Sequence, residues 1–300
     1  MNSIESYEKD IELQPLFLKL FKPQKPLSQN HQKKTYFSGS GDSLVSSLLA
    51  ESFSGGIVKA MDPLDLYKNK KLVKSKHIYF ISVSGNTFSN VKVAKIAKKS
   101  TAVTSDSASR LANESNQIIQ LHFPSAGVFT AGSISFLASA LTCISLVKKI
   151  IVPNEAIFQK AKSDAKKVEL SERIFILGNM FTYPIAMYCA AKFYEVLGYD
   201  AHYCRIEQFS HMELFSAKKG DSVIIFEEKN SHNKQLDKHL KKIGMNVIHP
   251  DIPSKKLDQI IFSVFFSQMI VLNEAKKKKM KECYFVNAKN IRNVSNQMIY

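Results

Sequence analysis

Residues 81–87 read ISVSGNT, placing Ser82, Ser84, Gly85, Asn86 and Thr87 between an apolar run, HIYF, and a lysine-spaced amphipathic run. This is the exit of a predicted strand and the start of a predicted helix. A parallel sheet offers free backbone N–H groups and the positive end of a helix dipole at such a point. Hydroxyl donors there, with a glycine that lets backbone approach closely, suit an anion such as phosphate. GSGDS at 39–43 repeats the pattern, with Gly41 in the turn and Ser43 in the matching place. One Ser or Thr at a helix start is more simply a cap. Two consecutive turns of this composition point to phosphate held by Ser43, Ser82, Ser84 and Thr87, with Gly41 and Gly85 shaping the loops.

The phosphate is expected to belong to a small metabolite. GSGDSL begins like a dinucleotide fingerprint, but Leu44 stands where its third glycine belongs, and no GxxxxGK[ST] occurs.

A carboxylate is the second candidate. PIAMYCAAKFYEVLG (184–198) reads as a helix, with Pro184 in the first turn and Gly198 just past the end. Glu195 then falls in the last turn, where the dipole disfavours its charge. With partial burial its pKa is expected to rise towards the range a general base needs. A solvent-facing helix glutamate is the simpler reading from position alone. His211, in QFSHMELF, can serve as acid and base near neutrality, or it can cap or pack a loop. Glu207, four residues earlier, can orient the imidazole or cap the segment.

These residues must be positioned by strands alternating with helices. TYFSGSGDSLVSSLLAESF, HIYFISVSGNTFSNVKVAKIAKK and a shorter TAVTSDSASRLANES form one series. RIFILGNMFTYPIAMYCAAKFYEVLG, DAHYC, DSVIIFEE and GMNVIHP form another. Alternation of this kind predicts an α/β fold of two similar halves, each a parallel sheet covered by helices in three layers. The apolar stretches 133–147 and 260–272 carry polar residues and fall short of the ~20 needed to span a bilayer, so they read as buried helices. The expected boundaries are an N-terminal helix and linker over 1–34, a first subdomain over 35–152, and a second, with a C-terminal tail, over 153–300.

Composition narrows the function further. The net charge is +16, nearly all of it lysine. Only Arg110, Arg173, Arg205 and Arg292 could supply the bidentate contacts nucleic-acid readout favours, so no nucleic acid is expected. The charge can instead concentrate anionic small substrates. MNSIESYEKDIEL lacks an apolar core, so no signal peptide is expected. The four cysteines lie far apart, with no CxxC, which fits a reducing cytoplasm. No His, Cys or Asp cluster has ligand spacing, so neither a metal nor a cofactor is expected.

Taken in order, GSGDS, ISVSGNT and VTSD resemble the phosphate-binding subdomain of the sugar isomerase (SIS) proteins. The stretch from FILGNMFTYP to EQFSHMELF resembles the isomerase domain of glucosamine-6-phosphate synthase, with a G-x-x-x-x-Y-P turn, a K-x-x-E helix end and an E-x-x-x-H segment. Length, layout and SGNT are also similar to archaeal phosphoglucose/phosphomannose isomerases. The resemblance spans about residues 35–300 and implies two tandem SIS subdomains of flavodoxin-like form. It implies that Glu195 is the base that moves a proton between C2 and C1 through a cis-enediol. It implies that His211 opens the sugar ring and reaches a neighbouring subunit's site, so that a homodimer shares its active sites.

Four departures qualify the resemblance. Asn293 aligns with the synthase's C-terminal active-site lysine, leaving Lys289 and Arg292 as its nearest substitutes. Val83 replaces a glutamine of the phosphate loop. VIIFEEKNSHN brings acidic residues where the second half would carry its own phosphate loop, so phosphate is expected in the first half alone. No glutaminase domain precedes the first half, so glutamine-dependent amination is not expected. The leading expectation is an aldose–ketose isomerase of a hexose 6-phosphate, such as fructose 6-phosphate with glucose or mannose 6-phosphate. The alternatives are a glucosamine-6-phosphate deaminase and a phosphosugar-binding protein without turnover.

Overall fold

The computed structural model describes residues 1–153 and 155–299. The chain divides into two compact units. The first contains Leu20–Pro124, Ile134–Ile151 and the tail from Lys289 onward; the second contains Met1–Lys19, Ser125–Ser133 and Val152–Ala288. This division differs from one drawn at 34/35 and 152/153. The opening helix groups with the later sheet, and the tail groups with the earlier one.

The first unit is built on a five-stranded parallel sheet: β1 (Thr35–Ser38), β2 (Lys59–Met61), β3 (His77–Ile81), β4 (Lys99–Thr104) and β5 (Gln117–Gln120), in the order β2-β1-β3-β4-β5. Its central strands are apolar on both faces, as a doubly covered parallel sheet requires. Phe37, Tyr79, Ile81 and Val103 pack on one side with Ala50, Cys143 and Leu146. Ile78, Phe80 and Ala102 pack on the other with Leu66, Val91 and Leu111. The helix Ile134–Val147 is apolar all round and buries every residue except Ser135.

The second unit carries four parallel strands, β6 (Arg173–Leu177), β7 (Asp200–Cys204), β8 (Ser222–Ile225) and β9 (Asn246–Ile248), in the order β7-β6-β8-β9. The helix Lys256–Lys277 buries an unbroken run from Gln259 to Leu272. No helix among the described residues is long and apolar enough to cross a membrane.

Both sheets share one topological feature. The chain leaves the first strand of each (β1 or β6) for a strand on one side, then returns to a strand on the other. Strand order therefore reverses between β1 and β3, and between β6 and β8. Ligands of open α/β sheets bind at the carboxyl ends of strands flanking such a reversal.

Candidate functional site

The two Gly/Ser-rich loops leave β1 and β3, the strands that flank the first unit's reversal. Ser38 ends β1 and pairs with Phe80, one residue before β3 ends, so the loops depart side by side. In the first loop a Cβ on Gly39 would lie 2.6 Å from the Ser43 Cβ and 2.8 Å from its backbone carbon, so only glycine allows this tight approach to the helix Asp42–Phe53. Gly41 precedes that helix at φ 57° and supplies no capping side chain. The turn closes on its own backbone: the Ser43 N–H donates to the Ser40 carbonyl at 3.2 Å and the Leu44 N–H to the Gly41 carbonyl at 2.9 Å. Ser43 is half-buried.

The second loop is ordered by its own hydrogen bonds. Ser82 is buried, and its hydroxyl lies 3.1 Å from that of Thr87. Thr87 precedes the helix Phe88–Ala94 yet makes no side-chain cap, so local capping does not explain it. The exposed Ser84 accepts the Asn86 N–H at 3.3 Å, and the Asn86 amide donates to the Ser84 carbonyl at 3.0 Å. Gly85 differs from its expected role. At φ 64° its missing side chain makes room for Ser109, whose Oγ would lie 2.0 Å from a Cβ there. It shapes the loop by packing against the next one, and the space it leaves does not admit a ligand.

The second unit builds the same corner differently. Gly178 follows β6, and a Cβ on it would lie 2.6 Å from the Thr182 backbone, as at Gly39 and Ser43. Here, however, the Glu227 carboxylate from the loop after β8 accepts the Asn179 N–H at 2.8 Å and the Thr182 hydroxyl. An internal carboxylate occupies the helix start that an external anion would use.

Glu195 lies in the second unit, on a helix less regular than its sequence implies. The α-helix spans Thr182–Lys192, and the expected last α-turn is a π-helical turn, Phe193–Leu197, closed by Gly198 at φ 69°. Such turns shift the facing of the residues they carry. Glu195 Oε2 sits 2.6 Å from Lys192 Nζ; Lys192 is fully buried while the Glu195 side chain is 36% exposed. That ammonium favours the charged carboxylate and acts against the helix end. The sequence marked Lys192 only as the first position of the K-x-x-E pattern and gave it no role.

A buried polar chain supports the pair. Lys192 Nζ lies 4.8 Å from the Tyr188 ring centroid. The Tyr188 hydroxyl donates to the Gly132 carbonyl at 2.9 Å and accepts from Gln268 at 2.8 Å, and Gln268 accepts from Gln14 at 2.6 Å. Tyr7 is fully buried, and its hydroxyl has no hydrogen-bond partner among the described residues. Burial first, then Tyr188, hold its phenol well above its ordinary range, with Lys192 acting the other way.

His211 ends the short helix Ile206–His211 with 70% of its side chain exposed, and its Nε2 is 3.1 Å from Glu207 Oε1. Glu207 thus orients the imidazole. In the tail helix Lys289–Ile299, Lys289 is exposed and Arg292 half-buried. Among the described residues no group of three His, Cys, Asp or Glu is placed to hold a metal ion.

No family model matches the chain, and no curated protein matches it in sequence. Solved structures do match its fold. Glucosamine-6-phosphate deaminase from Thermotoga maritima superposes with a TM-score of 0.75 at 18% identity, over 94% of this chain and 96% of that one. Tagatose-6-phosphate ketose/aldose isomerase from Escherichia coli gives 0.66 at 16% identity, over 93% and 91%. The C-terminal domain of glucosamine-fructose-6-phosphate aminotransferase from Francisella tularensis gives 0.64 at 15% identity, over 90% and 94%. The chain has the α/β fold of these sugar-phosphate proteins.

Proposed function

We propose that this chain, with two tandem SIS-type subdomains, is an aldose–ketose isomerase that acts on a hexose 6-phosphate through a cis-enediol. The observation that carries the reading is the Lys192–Glu195 pair. A base must be ionised and reachable to take a proton from carbon. Glu195 is about one-third exposed, and the fully buried ammonium 2.6 Å away favours its charged form. Lys192 is a positioning residue, too buried to touch substrate.

The first unit supplies the phosphate grip. Ser43, Ser84 and Thr87 donate hydroxyls from the two strand-to-helix turns. Ser82 is buried and holds Thr87. Gly41 and Gly85 shape the loops. In the reaction the phosphate and hydroxyls stay held while Glu195 removes the C2 proton of the aldose. The C–H electron pair forms the C1–C2 double bond as the C1 carbonyl pair moves to O1, which takes a proton to give the enediol; O2 then loses its proton to form the C2 carbonyl as the protonated carboxyl delivers its proton to C1. His211, exposed and oriented by Glu207, is assigned to ring opening in a homodimer whose sites are shared. Lys289 and Arg292 are the tail's candidate substrate contacts. The substrate is the only partner proposed, without metal or cofactor, in a cytoplasmic setting that suits four free, buried cysteines.

The test is proton NMR of fructose 6-phosphate with the protein in D2O. An aldose 6-phosphate carrying deuterium at C2 is the expected product, and it names the epimer. The Thermotoga superposition favours a second reading, deamination of glucosamine 6-phosphate. Ammonia release from that sugar, with fructose 6-phosphate unchanged, would establish it. Binding without either reaction would leave a phosphosugar-binding protein.

A further inference from the structure

The first unit has a second concavity, at the end of its sheet opposite the Gly/Ser loops. A cavity of about 720 Å³ opens where β1, β3 and β4 begin, with Thr35, His77, Lys99 and Ser100 at its floor and rim. That volume lies within the ~300–1,000 Å³ typical of small-molecule sites. Five lysines line it, Lys34, Lys74, Lys76, Lys98 and Lys99, and no Asp or Glu does. The unit's lysines that find carboxylate partners, Lys59 with Glu51 and Lys95 with Glu114, lie outside it.

Lysines often gather where helices end, because cations suit the terminal carbonyls. That explains Lys76, whose Nζ donates to the Lys33 carbonyl at 3.1 Å. The other four ammonium groups have no acceptor among the described residues. Their field is felt inside: burial first, then Lys99 and His31, hold the His77 imidazole below its ordinary range. His77 also stacks on Tyr79 at 4.7 Å, and Tyr79 on Phe37 at 5.2 Å, which gives one wall an unsaturated face.

We propose that this cavity binds a small polyphosphate of the nucleoside di- or triphosphate class, its phosphates on the lysines and its base against the His77–Tyr79 wall. Several uncompensated ammonium groups converging on one pocket match a multiply charged anion. Aromatic rings with adjacent cations match a base joined to phosphates. A single-stranded nucleic acid would need an extended basic groove, whereas this surface is a single local concavity lined by no arginine.

The test is calorimetric titration of the full chain with ATP, ADP and inorganic pyrophosphate. Four samples are compared: the parent protein, Lys34→Gln with Lys99→Gln, Ser84→Ala with Thr87→Ala, and a control pair on another surface, Lys238→Gln with Lys242→Gln. ATP and ADP are expected to bind more tightly than pyrophosphate. The Lys34/Lys99 pair should weaken them roughly tenfold or more, while the other two pairs leave them unchanged. Both target lysines are exposed, so folding should survive; Lys74→Gln with Lys98→Gln repeats the test if it does not. Four results would each overturn the proposal: no nucleotide binding, equal losses in the control pair, loss only in the Ser84/Thr87 pair, or tighter binding of an RNA oligonucleotide than of ATP. Pyrophosphate binding as tightly as ADP would overturn the nucleoside assignment.

Discussion

The two sheets reverse strand order at the same place and treat it in opposite ways. In the first unit the loops after β1 and β3 present hydroxyls and helix starts without a side-chain cap. In the second the corresponding corner is filled by the Glu227 carboxylate, which bonds Asn179 and Thr182. The glycines that shape these two strand-to-helix turns, Gly39 and Gly178, pack against the residue four positions on with the same closeness. The frame is therefore common and the filling differs. A βα corner is not a ligand site by topology alone; whether the chain supplies its own anion decides. The second unit, with its corner occupied, places its distinctive chemistry elsewhere, at a π-turn where a buried lysine meets a partly exposed glutamate.

The largest expected effect breaks that division of labour. Glu195→Gln should lower turnover by about 10³-fold, the middle of the range for a general base, while phosphosugar affinity changes little. It should also cost stability. Lys192 would lose its carboxylate, and breaking a buried pair costs about 3–5 kcal/mol, discounted here because Glu195 is partly exposed. Lys192→Met separates the two roles. It removes the buried charge, keeps the carboxylate, and should move the acid limb of the pH–rate profile to higher pH, since the ammonium no longer favours the charged form. Unchanged turnover in Glu195→Gln would make the carboxylate structural.

Next in size is the phosphate grip. Ser84→Ala with Thr87→Ala should weaken sugar-phosphate binding by about 3 kcal/mol, since hydrogen bonds to charged groups are worth roughly 1.5–3 kcal/mol each. Equilibrium binding of fructose 6-phosphate checks it. Full affinity in the double variant would put the phosphate elsewhere and erase the contrast between the two corners.

Much of this was legible in the sequence, and the misses have physical causes. The central strands announce themselves because burial on both faces forces unbroken apolar runs such as HIYFI and RIFIL. The edge strands β2 and β5 do not. KAM and QIIQ are short and bury no residue fully, so no pattern is imposed on them. The π-turn is hidden because AKFYEVLG has the same composition as a regular helix end. The role of Lys192, the K of K-x-x-E, is hidden because a lysine reads as solvated until packing shows otherwise. The basic cavity draws its lysines from three separated segments, and only the parallel register brings 34, 76 and 99 to one edge. The acidic EE after β8 was visible as a reason for no second phosphate loop. That Glu227 fills the corner is a matter of geometry.

The common frame gives a matched pair of intermediate size. Gly39→Ala and Gly178→Ala each place a Cβ 2.6 Å from atoms of the next helical turn. Overpacking of this kind typically costs about 1–3 kcal/mol, so each should lower unfolding free energy by about 2 kcal/mol in denaturant titration. Only Gly39→Ala should also reduce sugar-phosphate affinity. Loss of affinity in both would mean that the second corner also contributes to binding.

The smallest effect sharpens the comparison most. Glu227→Gln removes the charge at the second corner but keeps the side chain's size and an acceptor oxygen. The lost charge–dipole contact is worth about 0.3–1 kcal/mol, with some further weakening of the bonds from Asn179 and Thr182. Thermal unfolding without ligand should register about 1 kcal/mol of destabilisation. If Glu227 serves only as an internal anion, inorganic phosphate should recover part of that loss by displacing the neutral Gln side chain from the helix start, and fructose 6-phosphate affinity should stay at the parent value. Phosphate that stabilises parent and variant equally would mean that the second corner is closed by shape rather than by charge. The difference between the two units would then lie in their loops, not in Glu227.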